Sequence, residues 1–251
     1  MSGIAKRFET WRSSFLAQDV NVARWGESGV PVLLFPTAGG DAEEIERFRM
    51  IPALEPLLEA GKIQLFSCDS VPGQCWVADQ YSASHCSWVQ NRFDEFLHQE
   101  LAPYIHHLSD GCGLNGHGIV TAGASLGAFF ALAAVCRHPE TFGRAVCLSG
   151  KFDLIEFLDG EEMTLDFYYS SPLHFLPRLE DERLLGALRG RFVQLVTGRG
   201  AWERPENATQ VAELLTAKGV PHRVDDWGAS WDHDWPSWRR ALPHYLARLD
   251  E

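Results

Sequence analysis

The chain holds no Cys-x-x-Cys pair, no cysteine and histidine spacing of a metal site, and no apolar run able to span a bilayer. The first two absences exclude dithiol redox motifs and zinc fingers, and the third excludes a helical membrane protein. Cations are scarce as well: 22 Lys and Arg stand against 34 Asp and Glu, for a formal charge of −12 with no acidic tail. A phosphate backbone needs a basic footprint, so no nucleic-acid partner is expected. Internal repeats, low-complexity tracts and Pro/Gly/Ser linkers are also missing, so one domain over 1–251 is expected. The opening residues Met1–Glu9 lack the apolar stretch of a secretion signal. Six cysteines occur (Cys68, Cys75, Cys86, Cys112, Cys136, Cys147), and three of them, Cys68, Cys136 and Cys147, sit in apolar surroundings and read as buried thiols. Together these features point to a reduced, cytoplasmic protein without a membrane partner, while the even cysteine number leaves a disulfide-bearing form open.

What is present is an alternation of short β-rich apolar runs with helical patterns, the signature of a mostly parallel sheet with helices on both faces. The segment 7–25 suggests an antiparallel hairpin. Val30–Phe35, Ile63–Cys68, Ile119–Ala122, Ala145–Leu148, Phe192–Thr197 and Arg223–Trp227 read as strands. From Trp88 a helix is expected, with Phe93, Phe96, Leu97 and Leu101 on one face until Pro103 ends or kinks it. Asn207–Lys218, closed by Gly219 and Pro221, and Trp235–Leu249 read as later helices. Between 151 and 191 the aromatic residues are frequent and strand character is weak. That stretch is expected to be a small cap or lid insertion, or an enlarged helical crossover.

The strongest local feature is Gly123-Ala124-Ser125-Leu126-Gly127. A bare G-x-S-x-G arises easily by chance, but here a strand runs into it and a helical pattern runs out of it. Strand, sharp turn and helix are what a nucleophile elbow requires. The serine must adopt a strained conformation to stand clear of the sheet, and the helix and strand then pass too closely for side chains at Gly123 and Gly127. The helix N-terminus also leaves free N–H groups beside the oxygen where charge develops, with Leu126 as one donor.

With the elbow placed, the chain resembles the esterase D group of α/β-hydrolases. The resemblance rests on Val32-Leu-Leu-Phe-Pro-Thr-Ala-Gly-Gly40, Glu100-Leu-Ala-Pro-Tyr-Ile105, the elbow, Leu148-Ser-Gly150 and Gly228 followed by His233-Asp-Trp-Pro-Ser-Trp238. It implies the α/β-hydrolase fold and esterase chemistry, with the catalytic histidine in the His-Asp-Trp segment ahead of the last helix. One departure stands out: Pro36-Thr37 occupies the place where many relatives show His-Gly, which leaves the second oxyanion donor open within Thr37–Gly39, with Ala38 the first choice.

Triad order in this fold runs serine, acid, histidine. Of the histidines after Ser125, His138 sits just past the elbow helix, His174 in the lid stretch, His222 at a strand start and His244 within the terminal helix. His233 alone falls in a loop after the last strand, where it can act as base, and Asp234 is accounted for as a helix cap. The acid belongs in the loop after Phe192–Thr197, which offers Glu203 first; Glu206, Asp225 and Asp226 remain rivals. The resulting expectation is a small-molecule ester substrate, attack by Ser125 and an acyl-enzyme, with no cofactor and no metal. An acyltransferase with the same triad, and a silent binding protein on the same fold, are the alternatives.

Overall fold

A computed structural model describes residues 3–78, 80–109 and 118–249, so Cys112 lies outside the described residues. The strands are β1 Lys6–Arg12, β2 Asp19–Trp25, β3 Val30–Phe35, β4 Ile63–Cys68, β5 Ile119–Ala124, β6 Phe142–Leu148, β7 Phe192–Thr197 and β8 His222–Asp226. They form one sheet in the order β1-β2-β4-β3-β5-β6-β7-β8. The β1–β2 hairpin is antiparallel and joins β4 antiparallel, whereas every pairing from β4 through β3, β5, β6 and β7 to β8 is parallel.

The apolar runs follow from burial on both faces. Successive side chains of a strand point to opposite sides, and in β3 Leu33 and Phe35 enter one core while Val32 and Leu34 enter the other. The first core packs against the helices Ala83–Phe96, Leu126–Arg137 and Pro205–Lys218. The second packs against Met50–Glu59 and Trp235–Leu246. Leu126–Arg137 is buried almost all round, as an apolar central helix must be.

Several boundaries differ from the sequence expectation. The helix expected from Trp88 begins at Ala83, where the Ser82 hydroxyl accepts the His85 N–H at 3.2 Å. Pro103 does not end it. The chain widens into a π turn over Leu97–Leu101, with the Ala102 N–H on the Leu97 carbonyl, and then continues as Ala102–Leu108. The changed turn absorbs the missing proline donor instead of breaking the rod. Met50–Glu59 and Val71–Trp76 were not legible as helices, since Pro56 interrupts the first and Pro72 and Gly73 the second. The stretch 151–191 holds only short helical pieces, among them Leu165–Ser170 and Glu182–Arg189, with Phe152, Phe167 and Phe175 buried in the first core. Among the described residues, no helix is long and apolar enough to cross a membrane.

Candidate active site

All parts of the candidate site sit in loops at the carboxyl ends of parallel strands. Ser125 follows β5 directly and adopts φ 55°, ψ −121°, a conformation that non-glycine residues avoid. Three backbone hydrogen bonds hold it there: its N–H donates to the Leu148 carbonyl at 3.0 Å, and its carbonyl accepts the Lys151 N–H at 3.1 Å and the Ala128 N–H at 3.2 Å. A side chain on Gly123 would collide with the Gly127 backbone, and one on Gly127 would collide with the Pro36 carbonyl. The glycines therefore allow the strand, the helix and the loop after β3 to meet behind the serine.

That loop, 36–40, is braced by a carboxylate the sequence reading passed over. Buried Glu44 accepts the Thr37 N–H at 2.6 Å and the Thr37 hydroxyl at 2.7 Å. The Thr37 amide is thereby committed, which leaves the next amide, that of Ala38, as the candidate donor beside Leu126. Ala38, Thr37, Ser125 and His233 line one cleft of about 520 Å³, whose far wall carries Phe48 and Trp235 stacked 4.8 Å apart. A second cleft of about 350 Å³ meets the first at Ser125 and His233 and is lined by Lys151, Phe157, Trp202 and Arg204.

His233 lies in the loop between β8 and the last helix. Its N–H donates to the Ala201 carbonyl at 3.2 Å, while Asp232 accepts the Ala201 N–H at 2.6 Å. Asp234 caps the last helix by accepting the Ser237 N–H at 2.9 Å. The loops after β7 and β8 are thus stitched together, and the Trp238 ring stands nearly perpendicular to the imidazole with the ring centres 5.2 Å apart. Burial lowers the His233 pKa below its ordinary value, and the negative charge of Glu203 pulls part of the way back.

Glu203 is the innermost member, its side chain only 1% exposed. Its Oε1 lies 3.9 Å from His233 Nδ1, an ion-pair distance longer than a hydrogen bond. Oε1 instead accepts the hydroxyl of Ser149, and Oε2 accepts the Thr197 hydroxyl and the Gly198 N–H, each at 3.3 Å. Ser149 in turn accepts the Trp238 indole N–H at 3.0 Å and holds its own backbone at φ 47°. Sequence reading did not single out Ser149; its signal was the Leu148-Ser149-Gly150 segment at the end of β6. The rival acids are engaged elsewhere. Asp225 pairs with Arg223 at 2.7 Å and accepts the Tyr245 hydroxyl at 2.9 Å, Asp226 pairs with Arg199 at 2.6 Å, and Glu206 is exposed in a first helical turn.

This topology, with a strained serine between a central parallel strand and a buried helix, defines an α/β-hydrolase. The chain belongs to the Esterase family, whose model, described as "Putative esterase", matches residues 59–249, and it is a serine esterase. No curated protein matches the chain. Among solved structures it is similar to a ferulic acid esterase, at 17% identity with 97% of this chain and 96% of that one covered and a TM-score of 0.72. It is also similar to the S-formylglutathione hydrolase FrmB from Staphylococcus aureus (15% identity, 98% and 96% covered, TM-score 0.71). A third likeness is MPT51 (FbpC1) of Mycobacterium tuberculosis, at 19% identity, 97% of both chains and TM-score 0.67. At such identities the likenesses speak for the fold.

Proposed function

We propose that the chain hydrolyses small-molecule carboxylic esters through Ser125, His233 and Glu203 by way of an acyl-enzyme. The observation that carries this reading is that Ser125, in its strained turn, and His233 line the same clefts, with the buried Glu203 carboxylate behind the imidazole. His233 takes the Ser125 proton as the oxygen attacks the ester carbonyl, then returns it to the departing alcohol. Water, deprotonated by the same imidazole, releases the acid and frees the serine. The developing oxyanion is met by the N–H groups of Leu126 and Ala38, which require no rearrangement as charge grows.

Glu203 acts mainly as a fixed negative charge that stabilises the imidazolium. Its hydrogen bonds to Ser149, Thr197 and Gly198 keep it in place. The two clefts that meet at Ser125 give separate room for the acyl and alcohol parts of the substrate. The stretch 151–191 supplies Lys151, Glu156 and Phe157 to the second cleft and is part of the same single domain. Hydrolysis of nitrophenyl esters over a series of acyl lengths, with Ser125→Ala as control, tests the reading. Turnover that disappears in the variant supports it, and turnover that persists overturns it.

A further inference from the structure

Among the described residues outside the candidate site, two thiols come together, those of Cys75 and Cys86. Their sulfurs stand 2.7 Å apart, nearer than two unbonded sulfur atoms rest, and both side chains are buried. A disulfide bond needs about 2.05 Å between the sulfurs, so a small side-chain adjustment closes it. The remaining described cysteines, Cys68, Cys136 and Cys147, are buried in the same core, and the Cys147 thiol faces the Ala128 carbonyl at 3.5 Å.

We propose that Cys75 and Cys86 form an intramolecular disulfide that fixes the support of the oxyanion loop. Cys75 belongs to the helix Val71–Trp76 and Cys86 to Ala83–Phe96, so the bond would join these two helices. The first of them carries the loop after β3. Gly73 packs so closely under the Ala38 carbonyl that no side chain fits between them. The Ser70 hydroxyl donates to the same carbonyl at 3.3 Å, while the Ser70 N–H and the Gln74 amide both donate to the Gly40 carbonyl at 3.1 Å. Any drift of Val71–Trp76 would move Ala38, the proposed donor. Fixing it steadies that donor.

The oxidant is a small-molecule disulfide. A cleft of about 260 Å³ lined by Gln74, Cys75, Tyr81 and His85 opens to Cys75, so that thiol is reached first. Its thiolate attacks one sulfur of the small disulfide, forming a mixed disulfide and expelling one thiolate. The Cys86 thiolate then attacks the Cys75 sulfur and expels the second. Two protein thiols are oxidised, one small disulfide is reduced to two thiols, and the two protons pass to the leaving thiolates. Burial pushes both thiols' pKa up, so thiolate is scarce at neutral pH and the exchange quickens as pH rises.

The test incubates the full-length protein with oxidised glutathione at about pH 8, then denatures, alkylates and digests it without reductant for mass spectrometry. The expected result is a peptide pair joined through Cys75 and Cys86, with both residues alkylated in the reduced control. Melting temperature should rise by about 5–10 °C on oxidation. Cys86→Ser should leave Cys75 carrying glutathione as a stalled mixed disulfide. Both cysteines remaining alkylatable after oxidation, or Cys75 joined to another cysteine, would overturn the cross-link. The link to the site rests on the ester-hydrolase reading: oxidation should raise the temperature at which ester turnover is lost, and equal inactivation temperatures would overturn that part. A cross-link and melting shift in a protein with no turnover would leave the bond standing and sink the catalytic reading alone.

Discussion

Between His233 and Glu203 lies a gap of 3.9 Å, and its width decides what kind of help the carboxylate gives. At that distance the charge acts through space, in a site where burial weakens solvent screening. Replacing Glu203 with Gln removes the charge and also turns an amide toward the Thr197 and Gly198 donors. Turnover should fall by roughly 10³–10⁴-fold and stability by about 1–3 kcal/mol. Glu206→Gln, in an exposed first turn, should leave turnover intact and cost about 0.3–1 kcal/mol. Measuring rate and melting temperature for both variants checks this, and a large kinetic loss in Glu206→Gln would reassign the acid. The same two residues govern pH dependence. His233 is a base only when neutral, and burial holds its pKa below the ordinary value of about 6.5. Turnover of a neutral ester should therefore rise with pH through a midpoint below about 6.5 and stay flat above it. Because Glu203 raises that pKa, Glu203→Gln should move the midpoint further down. A midpoint that stays put or climbs contradicts the assignment.

The meeting of β5, the helix Leu126–Arg137 and the loop after β3 depends on a glycine at 127, whose α-carbon faces the Pro36 carbonyl. Gly127→Ala should push helix and loop apart, lowering stability by about 1–3 kcal/mol and moving Leu126 and Ala38 out of register. A melting curve and a rate measurement that both match the parent would contradict this account of the elbow. At this scale much was legible in the sequence. Strands buried on both faces announce themselves as unbroken apolar runs, and Ser125 was marked by the strand before it and the helix after it. The short helices Met50–Glu59 and Val71–Trp76 were not, because Pro56, Pro72 and Gly73 disrupt the periodicity that marks a helix. Pro103 was expected to end or kink the helix, and it does not end it, because the π turn over Leu97–Leu101 takes up the missing donor. Ser149 acts through long-range contacts, reaching Glu203 and Trp238, so neighbouring sequence carries little trace of its role. Glu44, by contrast, binds Thr37 only seven residues away and was missed because a Glu in a short acidic stretch reads as a solvated charge.

Over the whole molecule, the parallel sheet collects its functional loops at one edge. The loops after β3, β5, β7 and β8 bring Ala38, Ser125, Glu203 and His233 together from positions spread across nearly the full chain. Such convergence outside the carboxyl ends of the strands is what an open parallel sheet provides. An active hydrolase and an inert scaffold on the same fold differ in one property, so the account stands or falls on whether Ser125 is activated. Labelling with a fluorophosphonate, followed by digestion and mass spectrometry, measures that directly. The account predicts one adduct on Ser125, loss of ester turnover in step with labelling, no adduct in Ser125→Ala, and strongly slowed labelling in His233→Ala. An adduct on a different residue, or full turnover by Ser125→Ala, would contradict it.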